Sequence, residues 1–142
     1  MKKTFLTLLT ATLLITGSTT LLSANQGSKQ AKPFLIQGKL PHLSGMVKIL
    51  WDDEDLALTP DQQATLLSIR QNTMKSAKAL KVEIIKLENI VVKRSEDGAK
   101  PETLKEMVQK IASLRVEATM LHLKCIYNTR ATLSKEQLEI LE

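Results

Sequence analysis

Beyond Pro60 the chain runs to about Lys93 without glycine or proline, and its apolar residues recur every three or four positions. Such a run folds as an amphipathic helix, because 3.6 residues per turn brings those positions onto one side. The spacing predicts a helix from Pro60 to about Lys93, roughly 50 Å long at ~1.5 Å per residue. Its inward stripe is Leu66, Thr73 or Met74, Ala77, Leu80, Ile84, Leu87 and Val91. A stripe of that length needs a partner helix to bury it.

The partner follows directly. Ser95 to Pro101 reads as a turn, with Gly98 free to adopt a left-handed backbone and Pro101 suited to the first turn of a helix. From there to about Arg130 the same rhythm returns in Leu104, Met107 or Val108, Ile111, Leu114, Ala118, Leu121 and Cys125. Two long helices with a short connection make an antiparallel αα-hairpin. Flanking it are a short helix expected over His42–Trp51, carrying Leu43, Met46, Val47, Leu50 and Trp51, and about two turns after Leu133. Asp52-Asp53-Glu54-Asp55 should end the first of these, since carboxylates at a helix C-terminus oppose its dipole.

Two stretches share one pattern: Leu58-Thr59-Pro60-Asp61-Gln62 and Leu133-Ser134-Lys135-Glu136-Gln137. In each, a hydroxyl residue can cap a helix while the glutamine three positions later bonds back to the cap's own N–H. Leu133 can meet Leu138 as a hydrophobic staple, whereas Leu58 must find Leu66 or Leu67. Both stretches are therefore helix starts, one on each side of the hairpin.

The beginning of the chain reads as an export leader. Lys2 and Lys3 precede an apolar run from Phe5 to Leu22, and Ser23-Ala24 supplies small residues for cleavage after Ala24. Residues 25–41, with Pro33, Gly38 and Pro41, read as a flexible segment that contributes no core, leaving 42–142 as a single helical domain. Net charge is +5, falling to +3 once Lys2 and Lys3 leave with the leader. That modest excess, in an exported protein, argues against nucleic acid and allows acidic polypeptides or a membrane surface as partners. No stable membrane anchor is expected after cleavage.

The order of these features resembles the Spy/CpxP family of periplasmic LTxxQ proteins: an export signal, a short helix, Leu58-Thr59-x-x-Gln62, a long hairpin, and Leu133-Ser134-x-x-Gln137. The second copy has Ser134 where the family pattern has threonine. The resemblance covers the chain from about residue 42. It implies a periplasmic, all-α fold, a long hairpin with short flanking helices assembled as an elongated homodimer. It further implies ATP-independent chaperoning of unfolded or misfolded envelope proteins or a part in envelope-stress response, with metal binding in some branches.

The residues offer a mechanism for such binding. Beyond the buried stripe, the first long helix carries Val82, Ile85, Ile90 and Val92 interleaved with Lys75, Lys78, Lys81, Lys86 and Lys93. A lone hairpin cannot cover that much apolar surface, so the short helices fold back over it, a second copy covers it, or a client does. Lysines attract acidic unfolded segments at long range, and aliphatic groups then hold them weakly. Lys75, Lys78, Lys81, Val82, Ile85 and Lys86 are the candidate client-binding residues. Any one of these lysines is more often simply a solvated side chain.

A second function class rests on soft donors. His42 and Met46 lie four apart, and His122 and Cys125 three apart, so each pair can share a helix face. Imidazole, thiolate and thioether together suit copper or zinc, which would make the protein a metal sensor or buffer. Cys125 is the single cysteine and falls in the buried stripe; in an oxidising compartment it is a buried thiol, a bridge between subunits or a metal ligand. No cofactor is required by the chaperone reading. No phosphate loop, calcium loop or nucleophile–base pair is present in the sequence, so an enzyme is not expected.

Overall fold

A computed structural model describes residues 32–36 and 38–141. The described chain holds four helices and no strand: α1 (Leu43–Ile49), α2 (Pro60–Glu96), α3 (Pro101–Thr132) and α4 (Lys135–Leu141). α2 and α3 pack along each other as the two arms of a hairpin, and α1 and α4 gather at its open end. The expected leader, residues 1–24, lies outside the described residues. No described helix is long and apolar enough to cross a membrane.

The α2–α3 turn shows why the hairpin reverses where it does. Gly98 takes φ +81°, its N–H donates to the Ser95 carbonyl at 3.0 Å, and the Ala99 N–H donates to the Arg94 carbonyl at 2.9 Å. These two bonds form a Schellman cap, which satisfies the last carbonyls of α2 and needs a residue without a Cβ at the left-handed position. Pro101 then opens α3 at a position where no N–H is required. Lys93 and Arg94 near the end of α2, and Glu102 at the start of α3, each complement the local helix dipole.

The seam between the arms follows the 3.6-residue period. Leu66 and Ile84 on α2, and Leu104, Leu114, Ala118 and Cys125 on α3, are buried, with Thr73, Ala77, Leu80, Leu87 and Val91 half-buried between. Where the sequence left a choice, Thr73 and Met107 turn inward while Met74 and Val108 are exposed. Three polar residues of α3 are also buried, Thr119, His122 and Thr129. Thr119 and His122 meet residues 32–36 and His42, a layer on α3 that the α2–α3 period alone does not reveal.

A second, denser core closes the open end. Leu43 and Val47 of α1, Leu56, Leu66, Leu133 and Leu141 form one cluster, with Met46, Leu50, Trp51, Leu58, Ile126 and Leu138 packed on it. Leu58 and Leu133, the apolar residues before the two caps, therefore meet in the same place as Leu66 and Leu138. α1 is shorter than expected, ending at Ile49, because residues 50–59 make a tight loop that drives Leu56 fully inside. The Asp53 carboxylate accepts from the N–H groups of Asp55 and Leu56 at 3.0 and 3.1 Å, and Ala57 adopts φ +43°. Asp53 thus shapes the loop, as a short carboxylate does in an Asx turn.

One open alternative closes and one expectation changes. α1 and α4 do not fold back over the leftover apolar residues of α2: both pack at the open end, and Val82, Ile90 and Val92 stay exposed. Residues 32–36, expected to contribute no core, lie as a strap against α3 with Pro33 buried. Their hold is polar as well as apolar. The Leu35 N–H donates to Thr119 Oγ1 at 2.9 Å, and Arg115 donates to the Lys32 carbonyl at 3.1 Å.

Candidate functional site

The paired motifs resolve into one structure. Thr59 and Gln62 form a reciprocal capping box: the Thr59 N–H donates to Gln62 Oε1 at 3.0 Å, and the Gln62 N–H to Thr59 Oγ1 at 3.3 Å. Ser134 and Gln137 repeat it at 3.0 and 3.2 Å. Each glutamine carbonyl is thereby aimed at its own cap, which leaves each NH₂ pointing away, toward the other motif. Gln62 Nε2 donates to Gln137 Oε1 and the Thr132 carbonyl, and Gln137 Nε2 donates to Gln62 Oε1 and the Leu56 carbonyl. All four amide hydrogens are used. The sequence showed two separate caps; the structure joins them into a clasp between the starts of α2 and α4.

The exposed faces of the hairpin carry the binding candidates. Lys75, Lys78, Val82 and Lys86 are exposed and follow one another at spacings of three and four, which places them along one side of α2. Val82 is 62% exposed, while Ile85 and Lys81 beside this row are half-buried. On α3, Met120 and Tyr127 are 58% and 73% exposed. With Ala79, Leu80, Leu121 and Lys124 they line an open groove of about 880 Å³ between the two arms. Ser76, Glu117 and Lys124 supply its polar groups, and the rest of its lining is apolar or aromatic. Met120 and Tyr127 were not among the expected binding residues. Their signal was present as apolar positions of α3 outside its buried stripe.

The soft donors are divided. His42 and His122 are brought together, their rings stacked with centroids 5.2 Å apart and planes 21° from parallel. Phe34 of the strap lies on the other ring contact of His122, at 4.9 Å. Met46 packs against the open-end core. Cys125 is buried and lines a small polar cleft with Ser68, Asn72, Thr73 and Asn128, in which neither histidine takes part. No group of three histidine, cysteine or acidic side chains suited to a metal comes together among the described residues. Stacked imidazoles also direct their ring-plane lone pairs past each other, whereas a shared ion needs both nitrogens about 2.0–2.1 Å from one point.

The electrostatics of this corner favour a neutral ring. Burial holds the His122 pKa below its ordinary value, and the nearby His42 and Lys32 charges push it the same way. Its Nδ1 is buried without a hydrogen-bond partner. Next to it, Arg115 bridges Glu88 of α2 to the strap, so one guanidinium ties both arms and residues 32–36 together.

Comparison of the chain with protein-family profiles, with curated proteins and with solved structures found no match in any of the three.

Proposed function

We propose that this chain is an ATP-independent periplasmic chaperone or envelope-stress adaptor of the Spy/CpxP type, holding unfolded proteins on the outside of its hairpin. One observation carries the reading: exposed apolar side chains, Val82, Met120 and Tyr127 among them, alternate with exposed lysines along helices whose own core is elsewhere. A surface of this kind needs an occupant, since aliphatic groups left in water gain free energy on burial. Lys75, Lys78 and Lys86 supply long-range attraction for acidic segments, and the shallow groove supplies weak, plural contacts. Such contacts let a client change conformation while bound. Self-association of two hairpins is a further way to use part of the same surface.

The test is suppression of aggregation of a chemically unfolded client, without nucleotide, in chelator and with added copper or zinc. Protection in chelator is the expected result. Replacing Lys75, Lys78 and Lys86 by glutamate should slow client capture, with the difference shrinking as salt rises. Absence of protection under every condition would overturn the reading.

The second reading is a metal-sensing or metal-buffering protein using His42, Met46, His122 and Cys125. Its support is the contact between the two histidines and the unpartnered Nδ1 of His122. As the rings stand, they do not close around an ion, so ring rotation would have to accompany binding. Calorimetric titration with zinc or copper, repeated on Cys125→Ser and His122→Gln, decides it. Unchanged binding in both variants would remove these residues from any metal site.

A further inference from the structure

We propose that the seat of residues 32–36 on α3 is a binding site for a short, bent polypeptide segment carrying an aromatic side chain, and that the chain's own strap occupies it as an internal, displaceable ligand. The biological use of the site rests on the chaperone reading above; its existence rests on the following geometry.

The strap is held partly by its main chain. Thr119 Oγ1 donates to the Arg115 carbonyl at 2.7 Å, which fixes the hydroxyl proton and leaves a lone pair for the Leu35 N–H. Arg115 is held by Glu88 on one nitrogen and presents another to the Lys32 carbonyl. The seat therefore offers one acceptor and one donor, both oriented before any ligand arrives, to the N–H of one residue and the carbonyl of the residue three before it. Neither contact reads a side chain, so a backbone that takes the same bend satisfies them whatever its side chains.

Side-chain preference comes from what lies between. Pro33 is buried, and the Phe34 ring contacts the His122 ring, which also stacks with His42. Aromatic faces prefer an aromatic partner, and an imidazole kept neutral accepts one without desolvating a charge. The strap fills the site only partly: Leu35 and Ile36 stay 55% and 44% exposed. Main-chain bonds, the burial of Pro33 and the contacts of Phe34 hold the strap against the entropy of ordering a short segment, and its exposed outer residues leave it open to displacement by a segment that presents the same groups. Arg115, Thr119 and His122, which hold the strap, take no part in lining the Ala79–Tyr127 groove, so the seat adds a directional, hydrogen-bonded contact distinct from that groove.

The experiment uses the full-length protein and a fluorescent peptide, Lys-Pro-Phe-Leu-Ile, followed by anisotropy. Phe34→Ala loosens the internal strap and should raise peptide affinity about fivefold or more over the unaltered chain, because apparent affinity scales with the fraction of open sites. Adding Thr119→Val should abolish that gain, Thr119→Ser should keep it, and a peptide with alanine for phenylalanine should not bind. Equal affinity for the unaltered and Phe34→Ala chains, or no effect of Thr119→Val, overturns the proposal. Should Phe34→Ala lose helix content, hydrogen exchange at the Leu35 amide of the unaltered chain replaces it. Excess peptide must then accelerate that exchange, and no acceleration is the overturning result. The two readings separate cleanly: client protection without peptide binding removes this site and leaves the chaperone function, whereas peptide binding without client protection does the reverse.

Discussion

The side-chain amides of Gln62 and Gln137 hydrogen-bond to each other in both directions, at 2.8 and 3.2 Å, across 75 residues of sequence. Each also caps its own helix and reaches a carbonyl beside the other cap. Gln62→Ala should therefore cost about 2–3 kcal/mol, more than the ~1 kcal/mol of Thr59→Ala or Ser134→Ala, since several bonds of roughly 1 kcal/mol each are lost together. Urea unfolding of the two single glutamine variants and the double variant should show a coupling of about 1 kcal/mol. Additive losses would mean that the two amides act only as separate caps.

Ala57 sits at φ +43°, a left-handed conformation that costs a side chain with a Cβ about 1–2 kcal/mol and costs glycine almost nothing. After allowance for glycine's greater unfolded freedom, Ala57→Gly should raise stability by about 0.5–1 kcal/mol. A shift of the urea midpoint upward at constant slope is the expected observation.

Acid should weaken the fold through His122. Its folded pKa is lowered by burial first, and by the His42 and Lys32 charges, so the unfolded chain takes up the proton more readily. The neutral ring's contribution is intact above the ordinary value of 6.5 and is lost as pH falls from there through the lowered folded value. His122→Gln should flatten the stability profile over that range. The exposed Glu136 carboxyl, lowered by its own backbone N–H and the Ser134 hydroxyl, acts in the same direction but further down, below 4.5. An unchanged slope in His122→Gln would place the titration elsewhere.

Ile84 and Val82 separate folding from binding. Ile84 is buried in the seam, and its replacement by alanine should cost about 2–5 kcal/mol. Val82 is exposed, so Val82→Ala should stay within about 0.5 kcal/mol of the parent in stability while lowering client protection. Equal protection by both proteins would take Val82 out of the client surface.

Cys125 is buried in the folded chain. Reaction with a thiol reagent should be slow and should accelerate with urea in step with helix loss. A non-reducing gel showing a rapid disulfide dimer of the folded protein would contradict that burial.

What the sequence made legible was whatever depends on near neighbours. The 3.6-residue period gave both arms of the hairpin, Gly98 and Pro101 gave the turn, and the hydroxyl–glutamine spacing gave both caps. Those features are local, and local geometry is written in consecutive residues. The clasp was not legible, because nothing in a cap says where the far side of its glutamine will point. The strap was missed for a related reason: Lys32 to Ile36 has no periodicity, and its bonds go to Arg115 and Thr119, more than eighty residues away. His42 and His122 were grouped by chemistry, and they do meet. Cys125 and Met46 were grouped with them by the same soft-donor chemistry and by helical spacing, which fixes a helix face but not what that face is packed against.

The Schellman turn at Gly98 has open space around the position of a missing Cβ, and its bonds stay within residues 93–99. The far end of the molecule is thus independent of the clasped end. Inserting seven residues into each arm beside the turn would add two matched helical turns, preserve the phase of the seam and leave the Gln62–Gln137 clasp untouched. The hairpin behaves as a ruler anchored at one end: its reach can be reset by adding or removing such pairs of turns at the tip, and if the chaperone proposal holds, so can the length of client it lies along.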